Sequence, residues 1–200
     1  MNSSSTYILP DALLADQRSK IDELLDLTAL LLQENGLKGF LDPLMEIHLK
    51  ATFETIGAHE GTLWLLSPDE AYLRPQYNTG PEAEKMLREV RQDTSKGIIS
   101  MVLALGTTHH SDRTYEQTKH DKMVDRTLGS VTCSMVAVPF DFAGRRRGVL
   151  SAVTLKPSIA DPNPNPIPTS AATTLCVNAA ILGRLFDHRL FGLLAGAVGN

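Results

Sequence analysis

Between Val131 and Leu155 the chain carries two long apolar runs, VTCSMVAVPF (Val131–Phe140) and GVLSAVTL (Gly148–Leu155), separated by a short stretch holding Gly144 and Arg145-Arg146-Arg147. Runs of this length, rich in Val and nearly free of charge, form strands covered on both faces, and the glycine between them turns them into an antiparallel pair. Such a pair belongs at the centre of a sheet with layers of other elements on either side. The arginines of the turn are expected to be solvated. Three charges in a chain of net charge −4 make no nucleic-acid patch, so nucleic acid is not expected as a partner.

The remaining segments supply the rest of the sheet and its cover. Thr62–Ser67 (TLWLLS) and Ala71–Asn78 (AYLRPQYN), joined by Pro68-Asp69-Glu70, predict a second hairpin. Pro75 lacks a ladder donor, which places its strand at an edge or gives it an irregularity. Over residues 16–35, Ile21, Leu24, Leu25, Leu31 and Leu32 share one helical face, and Gly36 stops the helix. Leu27 and Leu30 widen the apolar arc, which suits either a contact with a second chain or deeper burial within one. Asp42 as cap and Pro43 at the first helical position begin a helix to about Ile56. Residues 81–92 predict a short amphipathic helix, and 97–105 (GIISMVLAL) a short buried helix ended by Gly106.

Thr107–His110 predicts a brief strand, and Ser111–Leu128 a polar segment long enough to hold a ligand. Five prolines between Pro157 and Pro168 enforce an extended linker. Thr169 or Ser170 then caps a helix to about Leu190 with Leu175, Ala179, Leu182 and Phe186 on one face. The chain thus divides into a loose start and N-terminal helix (1–38), a main domain with its closing helix (39–190) and a tail (191–200). Hydrophobic residues at 42% and charged residues at 21% suffice for one sizeable core.

The order helix, hairpin, helical insert, short strand, long loop, two strong strands and closing helix resembles a GAF domain, the small-molecule sensor fold related to PAS. KGIISMVLALGTTHHSD is similar to the family's helix between two glycines, short strand and aspartate, here Asp112. GSVTCSMVAVPFDFAGRRRGVLSAVTL is similar to its paired core strands, with Ser134-Met135 leading into Ala137-Val138-Pro139. The resemblance covers roughly residues 40–190. It implies an α+β fold with a central antiparallel six-stranded sheet flanked by helices, long N- and C-terminal helices, and a ligand pocket between the sheet and the 97–128 segment. Family members that carry such terminal helices pair as dimers, which implies a homodimer through 16–35 and 169–190.

The departures narrow the function. Where cyclic-nucleotide-binding members carry an NKFDE-type set, this chain reads KPSIADPNPNP. No cysteine lies in 107–128 for a covalent bilin, and Cys133 and Cys176 alone give little support for the thiol chemistry of members that reduce free methionine sulfoxide.

As ligand-binding residues the sequence offers His110, Asp112, Arg113, Tyr115, Asp125 and Arg126 from the polar segment, together with Ser134 and Met135 of the core strand. Asp112 also suits a loop-capping role. His109, His110 and His120, with Asp112, Asp121 and Asp125, have metal-binding chemistry but no diagnostic spacing, and a polar pocket rim is the simpler expectation. Trp64 reads as a core anchor, His48 as partly exposed, and Cys133 as a buried thiol. No GxSxG, SxxK, GxxxxGK or GxGxxG motif is present, so no reaction and no cofactor is assigned.

The N-terminus lacks the pattern of a secretory signal, and Leu190–Val198 is too short to span a bilayer, so a cytoplasmic, membrane-free protein is expected. The expectation is a non-catalytic small-molecule sensor whose signal passes to a separate signalling protein. The alternatives are a ligand-free interaction module and, less favoured, a free methionine sulfoxide reductase.

Overall fold

The computed structural model describes residues 18–37 and 40–198. In order, the elements are α1 (Arg18–Asn35), α2 (Pro43–Thr55), β1 (Glu60–Leu66), β2 (Tyr72–Asn78), α3 (Ala83–Glu89), β3 (Gln92–Asp93), α4 (Ile98–Leu105), β4 (His109–Ser111), a 3-10 turn (Thr114–Glu116), α5 (Met123–Leu128), β5 (Val131–Phe142), β6 (Arg145–Lys156) and α6 (Ala171–Val198). The strands form a six-stranded sheet in the order β3-β2-β1-β6-β5-β4. Every neighbouring pair is antiparallel.

The β5–β6 hairpin takes the central place that its doubly apolar composition demands. Strand alternation then divides the core between two layers. On one face Leu63, Leu65, Val136, Val138, Phe140, Phe142 and Leu150 pack against α1, α2 and α6. Phe186 of α6 stands at the middle of that layer, with ring centroids 4.8 Å from Phe40, 5.1 Å from Phe140 and 5.3 Å from Phe142. On the other face Trp64, Leu73, Met135, Ala137 and Val149 pack against Met86 and Val90 beside α3 and Ile98, Ile99 and Val102 of α4.

Local signals explain the boundaries. The Asp42 carboxylate accepts the Met45 N–H at 2.9 Å, with Pro43 in the first turn of α2. Pro75 lies opposite Trp64 where the β1–β2 register shifts, and β3 pairs only with Tyr72 and Leu73, so the missing proline donor breaks no ladder bond. Gly183 lets α6 lie directly on β5, because a Cβ there would overlap the Asp141 carbonyl oxygen.

Several expectations need correction. Helix α6 continues past Leu190 to Val198, so residues 191–198 extend the closing helix instead of forming a tail. The expected loose start at 2–14 lies outside the described residues. The helix expected over 81–92 ends at Glu89, because Gln92 and Asp93 are drawn into pairing with β2. The arginine run is solvated only in part: Arg145 and Arg146 are exposed, but Arg147 is not. β5 and β6 extend to Phe142 and from Arg145, and a register shift at Phe140/Asp141 turns Arg147 toward α1. There Arg147 is buried, pairs with Asp26 and lies over the Phe142 ring. Arg146 Nη1 donates to the Leu103 carbonyl at 2.9 Å.

Candidate functional site

Alternation along the central strands leaves one row of side chains without full helical cover. Glu60, Thr62 and Trp64 of β1, Ser151, Val153 and Leu155 around β6, and Thr132 and Met135 of β5 form the floor of a cavity. Ile98 and Ile99 of α4 and Val124, Asp125 and Leu128 of α5 close it from above, with His120, Asp121 and Gln92 at one side. The enclosed void is about 50 Å³, and its lining includes no Lys or Arg.

A bulge at Cys133 sets which residues face this cavity. It shifts the β5 register so that Thr132 and Met135 both reach the cavity, while Ser134 between them faces the helical layer.

Most polar groups of the wall are already engaged. Trp64 Nε1 donates to Ser151 Oγ at 2.9 Å, and Asn78 Nδ2 donates to Thr62 Oγ1 at 2.9 Å. Gln92 Nε2 donates to the Lys96 carbonyl at 2.9 Å and to Asp121 Oδ2 at 3.3 Å, while Asp121 Oδ1 accepts the Met123 N–H and so starts α5. Asp125 accepts from His120 Nε2 at 3.0 Å, from the Thr132 N–H at 3.1 Å and from Thr132 Oγ1 at 2.6 Å. Burial raises the Asp125 carboxyl, but the His120 and Thr132 hydrogen bonds outweigh it and hold the group below the usual carboxylate range. Asp125 is therefore a carboxylate and His120 Nε2 its donor.

Glu60 differs from these. Glu60 is nine-tenths buried as a residue, and Gly80 packs against its carboxyl with no room for a Cβ. Burial pushes it above the usual range, opposed by a hydrogen bond from Asn78 and the nearby His59.

Of the eight residues chosen from sequence, the structure brings Asp125 and Met135 to the cavity. His110 lies on the strand face opposite to its neighbours, and its Nε2 bonds the Ile167 carbonyl at 2.8 Å. Ser134 Oγ accepts the Ile167 N–H at 3.0 Å on that same face. Both thus anchor the proline-rich linker. Asp112 is exposed 3.5 Å from His110, and Arg113 is an exposed partner of Glu116. Tyr115 lies under the Lys156 ammonium and bonds Asn163. Tyr115 and Arg126 instead line a separate outer recess of about 240 Å³, which shares Asp125 and Ser130 with the cavity.

The histidines also diverge: His120 points to Asp125 and His110 to the linker. Among the described residues no group of three or more His, Cys, Asp or Glu side chains is placed to hold a metal. A third depression of about 570 Å³, with Lys96, Lys119 and the hydroxyls of Thr94, Ser95 and Ser100, opens beyond Gly97, His120 and Asp121.

Sequence reasoning missed Glu60, Thr62, Gln92 and Ser151. The signal for Thr62 and Ser151 was the period of two: each shares a strand face with an apolar residue already assigned to the core, Trp64 or Val149.

No family model matches the chain, and no curated protein matches it. Solved structures do. The GAF domain of a phosphoenolpyruvate-protein phosphotransferase from Acinetobacter aligns with TM-score 0.54 at 16% identity, covering 95% of this chain and 98% of that one. The GAF domain of a phosphoenolpyruvate-protein phosphotransferase from Coxiella burnetii aligns with TM-score 0.55 at 10% identity, over 88% and 94%. This chain has the GAF fold. The free methionine-R-sulfoxide reductase from Neisseria meningitidis, solved in complex with its substrate, shares that fold at TM-score 0.51 and 17% identity, over 95% and 96%. The six-stranded sheet and the helices on both its faces stand as the resemblance implied, and a cavity lies between the sheet and the 97–128 segment. No helix among the described residues is long and apolar enough to cross a membrane.

Proposed function

We propose that this GAF domain is a non-catalytic small-molecule sensor, acting in the cytoplasm, that binds its ligand in the cavity between the central sheet and α4–α5 and passes the change through its terminal helices. The observation that carries this reading is the cavity itself: an apolar wall with few convergent polar groups, on the opposite face of the β5–β6 hairpin from α1 and α6. The same hairpin is clasped by both terminal helices. Arg147 pairs with Asp26 of α1, and Asp187 of α6 accepts the Ala143 N–H.

A ligand shifts only an equilibrium whose states it contacts differently. In this reading ligand contacts to Met135 and Val153 bias the hairpin, whose next residues along each strand, Val136 and Ala152, pack on the helical layer.

Leu24 and Leu27 of α1 and Val177, Ile181 and Leu185 of α6 expose apolar surface at helical spacing. These stripes support the homodimer reading, with a separate signalling protein as the further partner. Neither cysteine lines the cavity, and burial pushes the Cys133 thiol up, away from the reactive thiolate that a reductase needs.

Native mass spectrometry of the purified protein tests both parts. A dimer that Ile181→Glu converts to monomer, together with a noncovalent mass lost on Met135→Trp, is expected. A monomeric wild type removes the dimer, and hydrogen exchange in α1 and α6 that is unchanged by a bound ligand removes the transmission.

A further inference from the structure

Resting on the ligand-pocket reading above, we infer that the cavity takes a small apolar amine, whose ammonium group is received by Glu60. Four observations point this way. First, Glu60, Asp121 and Asp125 line the cavity against the single imidazole of His120, and no lining residue is Lys or Arg, so its electrostatic character is negative. An anion entering it would face carboxylates with no compensating cation.

Second, the N–H donors of the wall are engaged, which leaves only the Ser130 and Ser151 hydroxyls as donors beside the carboxylate acceptors. Trp64 Nε1 is bound to Ser151, the Gln92 amide N–H groups go to Lys96 and Asp121, and the His120 Nε2–H goes to Asp125. Asp125 already accepts from His120 and twice from Thr132, and Asp121 from Met123 and Gln92. Glu60 retains the spare capacity. A carboxylate offers about four lone-pair sites, and the Asn78 amide beside it already donates to Thr62 Oγ1 at 2.9 Å and to Met86 Sδ at 3.1 Å.

Third, Glu60 is nine-tenths buried on the cavity wall with no Lys or Arg among the groups that act on it. A buried carboxylate of that kind is costly to leave unpaired, and a ligand ammonium offsets the cost. Fourth, most of the remaining wall is apolar, with Trp64, Ile98, Ile99, Leu128, Met135 and Val153, so the body behind the ammonium is hydrocarbon. The void of about 50 Å³ suits a chain of a few carbons. Lys96 and Lys119 belong to the adjoining open cleft, so an anionic group on a larger ligand would lie outside, beyond Asp121.

The test uses three probes of one shape: n-butylammonium, n-butanol and butyrate, titrated into the full chain and followed by backbone amide chemical shifts. The expected result is that butylammonium moves the resonances of Glu60, Thr62 and Val153, butanol does so more weakly, and butyrate does not. Glu60→Gln is expected to weaken butylammonium about tenfold or more while leaving butanol unchanged, since removing one partner of a buried charge pair costs at least that much. Butyrate binding at these residues, equal affinity for butylammonium and butanol, or an unchanged preference in Glu60→Gln would overturn the amine inference and leave the pocket reading in place. Failure of all three probes to move any cavity resonance would overturn both.

Discussion

Replacing Asp125 tests whether α5 is held as the structure indicates. The helix spans Met123–Leu128 and packs Met123, Val124 and Leu128 against the core without fully burying any of them, so hydrophobic burial anchors it only in part. What fixes it is one carboxylate, with 11% of its side chain exposed, bonded to His120 and twice to Thr132 of β5. Each net hydrogen bond to a charged group contributes about 1.5–3 kcal/mol. Because the bonds share one acceptor they do not add fully. Asp125→Ala is therefore expected to destabilise the domain by about 3–4 kcal/mol. For a chain of this length, that is roughly 6–16 °C in the midpoint of thermal unfolding.

Asp125→Asn keeps an oxygen for Thr132 and loses only the charge, so about half that cost is expected. A double-mutant cycle with His120→Ala isolates the pair and should return a coupling above about 1 kcal/mol. The folded carboxyl lies below its ordinary value of 3.8, so its contribution is full above that value and is lost as pH falls through the folded pKa. Circular dichroism melts at pH 7 and pH 3 measure both effects. A loss below about 1 kcal/mol for Asp125→Ala, or coupling near zero, would refute the reasoning that this carboxylate holds α5 to β5.

Other substitutions probe the rest of the site and its frame. Glu60→Gln removes a carboxyl whose folded pKa is raised by burial, so the wild type loses stability as pH rises above the ordinary value of 4.5; the variant should melt higher at pH 7, and the gap should close on acidification toward that value. A gap independent of pH would contradict this. Lys156 is buried and donates to the Ile159 and Asp161 carbonyls at 3.1 Å each and to Asn163 Oδ1 at 2.8 Å, which pins the proline-rich linker to the end of β6. Lys156→Met should cost about 2–3 kcal/mol and speed limited proteolysis within residues 157–168, and an unchanged cleavage rate would count against the pin. Gly183→Ala gains about 1 kcal/mol of helix propensity yet sets a Cβ on the Asp141 carbonyl, so a net loss of about 2 kcal/mol in chemical denaturation is expected; a stabilised variant would show that α6 can lift from β5.

The framework was legible because its signals are periodic and local. Two doubly apolar runs placed β5 and β6, Asp42-Pro43 placed the start of α2, and glycines placed the ends of α1 and α4. The site was less legible, because it is assembled by register. Ser134 and Met135 are adjacent in sequence, so one of them had to face away from any pocket, and only the bulge at Cys133 decides which. Likewise Glu60 is distinguished by burial and by Gly80 packed against it, 20 residues along the chain, which no spacing rule foretells. The polar segment drew attention through its length, but His110 and Tyr115 are spent on holding the linker. Arg147 misled for a related reason: three consecutive arginines read as one solvated turn, while the strand register gives each a different environment.

These placements together indicate which wall of the cavity can respond to a ligand. The floor is the central hairpin, twelve residues in each strand, paired along its length and packed on both faces. Its position is set by the Phe186 cluster and by the Asp26 and Asp187 contacts, so moving it relative to the helices disturbs many contacts at once. Helix α4 carries four buried residues and is similarly fixed, whereas α5 carries none. Local opening is easiest where buried apolar contact is least, so in the proposed sensor α5 is the wall expected to open first. Asp125 joins the two walls: it belongs to α5, bonds β5 through Thr132, and lines both the cavity and the outer recess. A ligand that alters the His120–Asp125–Thr132 contact therefore acts on β5 directly, and β5 is the strand on which α6 rests.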